Sequence, residues 1–175
     1  MLMTDPARIS DPLGAAERLP RGSAVVFRAF GSADAILQGR RLARIARRRG
    51  LILLAGADPG LALAIGADGV HLPERLAHRA AAIRRAHPRW LVTVAAHGEA
   101  AVRRARLCGA DAVVISPVFG SRSPSAGRPL GSTRFALLVR DAKIPTYALG
   151  GVNARTAARL IGSGAVGIAA VEALA

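Results

Sequence analysis

Cysteine, lysine and aromatic residues are nearly absent from this sequence, and each scarcity narrows what the chain can do. Cys108 is the only cysteine, which excludes an internal disulfide framework and fits a reducing, cytoplasmic setting. It falls at the end of a helical segment before "GAD" and reads as a small core residue. Phe, Trp and Tyr together make up 3% of the chain, too few for a stacking platform on single-stranded nucleic acid. No apolar run approaches the roughly 18 residues needed to cross a bilayer, so no membrane partner is expected. The opening "MLMTDPARISDP" does not read as a signal peptide.

Acidic residues are scarce as well. The net charge is +14, and Lys143 is the sole lysine, so the excess is arginine. A balance of this kind suits nucleic acid or an anionic surface, but the positions argue otherwise. Arg40, Arg41, Arg44, Arg47, Arg48 and Arg49 share a segment with Leu42, Ile45 and Ala46, the i, i+3, i+4 stripe of an amphipathic helix. The arginines then form a solvated helix exterior, and nucleic acid is not the expected partner.

What is present is a chain of 175 residues, 51% of them hydrophobic. That is long enough for a substantial core, and one domain over residues 1–175 is expected. Short Val-, Ile- and Leu-rich runs alternate with amphipathic segments. Strands are expected at Leu2–Thr4, Ala24–Arg28, Leu51–Ala55, Gly69–Leu72, Trp90–Ala95, Ala112–Ser116, Thr146–Leu149 and Val166–Ala170. Helices are expected near Pro12–Arg18, Asp34–Arg49, Pro59–Ile65, Leu76–Ala86, Glu99–Leu107, Thr133–Arg140 and Ala154–Ile161. Such alternation implies parallel strands joined by right-handed crossovers. "IGADGVHL", "CGADAVVIS" and "SGAVGIAAV" repeat one helix-to-strand connection, with glycine as the left-handed stop. Eight strands and this repeat favour an α/β fold of the (β/α)8 TIM-barrel type over an open sheet. The barrel is small and trimmed. Nothing after Leu174 supplies an eighth helix, and a homodimer covering that flank is one way to bury it.

In such a barrel, chemistry sits at the C-terminal ends of the strands, and phosphate commonly binds after strands seven and eight. Gly150 and Gly151 follow the seventh strand and precede a helix whose expected N-cap is Asn153. Bare glycine amides and a helix N-terminus suit a phosphate; a tight turn is the alternative. Gly162 and Gly164 read as helix stops, and Gly167 as a close-packing position. Arg28 closes the second strand, where a buried guanidinium needs an anionic partner. His71 and Glu74 follow the fourth strand, and His97 follows the fifth, as helix cap or site residue. Within "SPVFGSRSPSAGRPLG", Ser121, Arg122 and Ser123 are candidate pyrophosphate donors on a long loop. Glu172, after the eighth strand, needs an arginine beside it.

"LALAIGADGVHLPE", "GADAVVISPVFGSRSPSAGRPLG" and "IPTYALGGVNARTAARLIGSGAVGIAAVEAL" together resemble thiamine phosphate synthase and its TenI-like relatives, with "LMTD" matching the first strand. The resemblance spans nearly the whole chain. It implies a (β/α)8 barrel in thiamine metabolism. The synthase joins a hydroxymethylpyrimidine pyrophosphate to a thiazole phosphate with Mg2+, and the TenI-like branch includes a thiazole tautomerase.

Against that pattern several positions differ. The family's Gln-x-Arg-x-Lys element becomes Val26, Arg28 and Phe30. The Asn-Asp that supplies a magnesium ligand becomes Gly56 and Ala57, with Asp58 one step on. The second metal-ligand Asp becomes Leu76, the loop lysine becomes Pro124, and a phosphate-holding serine becomes Glu172. Magnesium binds through oxygen ligands, and a departing pyrophosphate needs cations to stabilise its charge. The leading expectation is therefore a barrel that binds a small phosphorylated substrate, such as a thiazole phosphate, with transferase activity in doubt. Mg2+ is expected only if that activity is retained, with Asp58 the candidate ligand. Pro117 stands where the tautomerase histidine is expected, so His71, His97 and Glu74 are the catalytic candidates. An active synthase and a basic, non-catalytic interaction protein are the alternatives.

Overall fold

The computed structural model describes residues 1–121 and 127–174. Eight parallel strands run in sequence order: β1 (Leu2–Met3), β2 (Ala24–Phe27), β3 (Ile52–Gly56), β4 (Gly69–Leu72), β5 (Leu91–Ala96), β6 (Ala112–Ile115), β7 (Thr146–Ala148) and β8 (Gly167–Ile168). The sheet's ends meet where Leu2 bridges Ala170. There the Met3 amide donates to the Ala170 carbonyl at 2.8 Å, and the Ala170 amide to the Met1 carbonyl at 3.1 Å. This closed, parallel (β/α) barrel is the expected fold class. Among the described residues, no helix is long and apolar enough to cross a membrane.

Seven α-helices are found among the described residues: α1 (Pro12–Arg18), α2 (Ala35–Arg49), α3 (Pro59–Ile65), α4 (Ala80–Ala86), α5 (Glu99–Leu107), α6 (Gly131–Ala142) and α7 (Ala154–Ala157). Two of them start on the same device. Asp11 Oδ1 accepts from the Gly14 amide at 2.8 Å and Asp58 Oδ1 from the Leu61 amide at 2.9 Å, each just before a proline at the first helical position. Gly50 and Gly66 stop α2 and α3 in the left-handed conformation, at φ 64° and 67°.

Strand alternation divides the core. Met3, Val26, Leu54, Val114 and Ala169 form a small buried cluster of their own, as expected of residues filling the barrel. Their strand neighbours Leu2, Val25, Leu53 and Val113 belong to the larger cluster that includes the inner faces of the helices. Leu42, Ile45 and Ala46 of α2 are buried there while its arginines stay exposed, as the apolar stripe implies.

Three segments differ from expectation. The helix expected over Leu76–Ala86 opens as a 3-10 turn at Glu74–Arg79 and becomes α-helical only at Ala80; Ala80 has no capping side chain before it, and tight turns of this type commonly start helices. The last helix is one α-turn followed by a 3-10 turn at Ala158–Leu160. The last strand shortens to two residues. Asp68 Oδ2 accepts from the Leu53 amide and Asp111 Oδ2 from the Val92 amide, each at 2.8 Å, so the repeated "GAD" aspartates clasp the preceding strand. The third copy carries Val166 instead and has no such clasp. Beyond β8 the described chain ends in a 3-10 turn, Glu172–Leu174. Gly167 packs as expected, since a Cβ there would sit 2.9 Å from Tyr147 Cε1.

Candidate functional site

The C-terminal ends of the strands surround a cavity of about 920 Å³. Arg28, His71, His97, Ser121, Gly150 and Gly151 all line it, as does Asp58. Arg122 and Ser123 lie outside the described residues.

On the β7 side, the chain turns through Gly150 at φ 91° and Gly151 at φ 65°. A Cβ on Gly150 would stand 2.8 Å from Pro117 Cα, and one on Gly151 would stand 2.3 Å from the Gly120 carbonyl oxygen. Both positions therefore need glycine for packing alone. The carbonyls of Leu149 and Gly150 accept from the Val118 and Phe119 amides at 2.9 Å, tying the turn to the loop after β6. The amides are spent differently. Among the described residues, those of Gly150, Gly151 and Val152 donate to no protein acceptor, although the Val152 side chain is buried and all three residues line the cavity. A buried amide without a partner costs free energy, which a bound anion or water offsets.

Asn153 caps α7 as expected, its Oδ1 accepting from the Arg155 and Thr156 amides at 2.9 and 3.2 Å. That satisfies the first amides of a four-residue helix. The helix N-terminus is consequently not free to hold a phosphate, and the donors available are the loop amides before it.

Arg8, Arg28 and Arg75 line the mouth, and the first two are held by carboxylates. Arg28 Nε donates to the Thr4 carbonyl at 2.6 Å, and its Nη2 pairs with Asp5 at 3.2 Å. Burial works against its charge, and Asp5 works for it; the guanidinium stays protonated at any ordinary pH. The anionic partner expected of Arg28 is thus supplied by the chain. Arg8 pairs with Glu172 at 3.0 Å, the arginine that Glu172 requires. Sequence reading missed Asp5 and Arg8; the signal was "TDPAR", a turn directly after the first strand.

The two histidines differ in environment. His71 is buried, with Nδ1 2.9 Å from Thr93 Oγ1. Desolvation, then the nearby Arg28 charge, pushes its pKa down to about 4, so the ring is neutral near pH 7. His97 is half-exposed, and Glu74 Oε2 accepts from both its backbone amide at 3.0 Å and its Nδ1 at 2.8 Å. Gly98, not His97, is the cap residue of α5. With Nδ1 bound to the carboxylate, Nε2 carries the available lone pair of the neutral ring.

A magnesium site does not fit these residues. Among those described, no group of three or more His, Cys, Asp or Glu side chains is placed to hold a metal. Asp58 caps α3, Glu74 holds His97, and Asp5 holds Arg28.

A family model described as "Thiamine monophosphate synthase" matches residues 2–174. The thiamine-phosphate synthase of Methylococcus capsulatus is 36% identical over 172 residues, covering 93% of this chain and 75% of the relative. That of Roseiflexus sp. strain RS-1 is 32% identical over 142 residues, covering 81% and 60%. The chain spans between 28% and 64% of the length of four of the curated relatives it matches. Among solved structures, thiamine phosphate pyrophosphorylase from Pyrococcus furiosus superimposes with a TM-score of 0.84 at 23% identity, covering 97% of this chain and 83% of its own; at that identity the likeness supports the fold.

Proposed function

The chain belongs to the thiamine monophosphate synthase family, and on that premise we propose that it binds a small phosphate ester of the thiazole phosphate type. The setting is thiamine biosynthesis or salvage, and the metal-dependent transfer step is absent. The observation that carries this reading is the trio of amides at Gly150, Gly151 and Val152, residues that line the cavity and whose amides have no protein acceptor among the described residues. Backbone donors suit a phosphate oxygen and do not depend on side-chain identity. Arg28 and Arg8 also line the cavity, each paired with a carboxylate, and Arg75 adds a positive charge there. No comparable donor set serves the transfer reaction. A leaving pyrophosphate needs cations positioned where its charge develops, and the carboxylates at the mouth are engaged by a helix, a histidine and an arginine.

Two measurements on the same preparation test this. Calorimetric titration with thiazole phosphate in chelator should show saturable binding, weakened at least tenfold in Arg28→Ala. Incubation with the pyrimidine pyrophosphate, thiazole phosphate and Mg2+ should yield no thiamine phosphate above a boiled control. Chelator-sensitive product would restore the active-synthase reading. Absence of binding by folded protein would remove the phosphate-ester reading itself.

A further inference from the structure

Phe30 is an unusual residue to find at the mouth of this barrel. It follows β2, lines the cavity and leaves 65% of its surface exposed. Its backbone lies at φ 48°, followed by Gly31 at φ 78°. A bulky side chain in the left-handed region is an outlier that folding alone disfavours. Exposure gives it no burial in return. Its backbone is held in a turn closed by the Ser32 amide donating to the Ala29 carbonyl at 2.9 Å, and its ring lies beside Arg28, whose Cζ is 5.1 Å from the ring centroid. Only six aromatic residues occur in the whole chain (four Phe, one Trp and one Tyr), and one of them is spent on a strained, exposed site beside a cavity.

We propose that Phe30, backed by the Arg28 guanidinium, is a stacking platform for a planar ring in the ligand and selects ring-bearing monophosphates. This rests on the phosphate-ester reading above and deepens it. A ring of five or six atoms gains from an aromatic face both by apolar burial and by offset stacking. The platform and the open amides of Gly150, Gly151 and Val152 border the same cavity, so one ligand can present its ring to the first and its phosphate to the second. At this position a phenyl ring adds an apolar face and no further cation, which favours a flat ring over the additional charge of a pyrophosphate group.

The test compares three probes by calorimetry: thiazole phosphate, its dephosphorylated thiazole alcohol, and butyl phosphate, which has no ring. Phe30→Gly removes the ring and relieves the backbone, so the variant folds; its melting temperature is checked alongside. The expected result is a drop of about 2- to 10-fold in the preference for thiazole phosphate over butyl phosphate, with Phe30→Trp restoring it. An unchanged preference in Phe30→Gly overturns the platform. The alcohol separates the two readings. If butyl phosphate fails to bind while the alcohol binds and weakens in Phe30→Gly, the platform stands and the phosphate reading falls. If the alcohol binds equally to wild type and variant, the platform falls whatever the phosphate does.

Discussion

Replacing Val166 with aspartate should stabilise the barrel by about 1 kcal/mol, within the range for one added hydrogen bond. The reasoning comes from a repeated device. Asp68 and Asp111 each donate their backbone amide to the strand before them, to the Leu53 and Val92 carbonyls at 2.8 Å, and accept from the same residues' amides through Oδ2 at 2.8 Å. Val166 makes the first half of that clasp, its amide donating to the Thr146 carbonyl at 3.0 Å. Thr146 therefore occupies the place of Leu53 and Val92, and Val166 offers it no oxygen. Val166 is 59% exposed, so little apolar burial is lost on substitution. A carboxylate is also favourable in a chain of net charge +14. At about 2–4 °C per kcal/mol for a chain of this size, the melting temperature should rise by a few degrees in a thermal scan. Val166→Ala serves as control because it removes the exposed side chain without adding an acceptor. If the aspartate variant melts no higher than the alanine variant, the clasp adds no stability at this position. Asp111→Ala should show the converse, a loss of similar size.

Two other outcomes follow from the site. His71 is held neutral, with its pKa lowered to about 4 from an ordinary 6.5. The unfolded chain therefore takes up a proton between those values while the folded chain does not, and stability falls as pH drops from about 6.5 to 4. The full effect is on the order of 3 kcal/mol, and urea midpoints for His71→Asn should lose most of that slope; an unchanged slope would refute the assignment. Gly151→Ala should cost more than about 1 kcal/mol, because a Cβ would meet the Gly120 carbonyl at 2.3 Å and φ is 65°. A neutral substitution, read as an unshifted melting temperature, would mean the turn relaxes.

The fold was legible because its cues are local and repeated. Glycine stops and continuous apolar runs recur around the barrel, and α1, α3 and α5 span the residues expected of them. The cue lay out of local reach where a side chain acts across strands: the Asp68 and Asp111 clasps join residues 15 and 19 positions apart. Glu74 was expected after the fourth strand, but its hold on His97 depends on two neighbouring strands delivering their ends to one place.

The site was legible in position more than in role, and the reason is physical. Strand ends fix where Arg28, His71, His97 and the Gly150–Gly151 turn stand, so topology alone brings them around one cavity. What each group is free to do depends on partners supplied from elsewhere in the chain. Asp5, two dozen residues before Arg28, already neutralises the cation, and Asn153 already satisfies the helix amides that a phosphate would otherwise use. Once those claims are removed, the groups at the mouth without a protein partner among the described residues include three loop amides, the Arg75 guanidinium and the exposed face of Phe30. That remainder suits the proposed phosphate and flat ring, and among the described residues no cluster of three or more His, Cys, Asp or Glu is placed to hold a metal. Carboxylates not already engaged in the fold can be added at the mouth, as Ala57→Asp together with Leu76→Asp. Magnesium-dependent stabilisation of that double variant, absent from the parent in a thermal scan, would show that the mouth kept the geometry of a metal site and lost only its ligands.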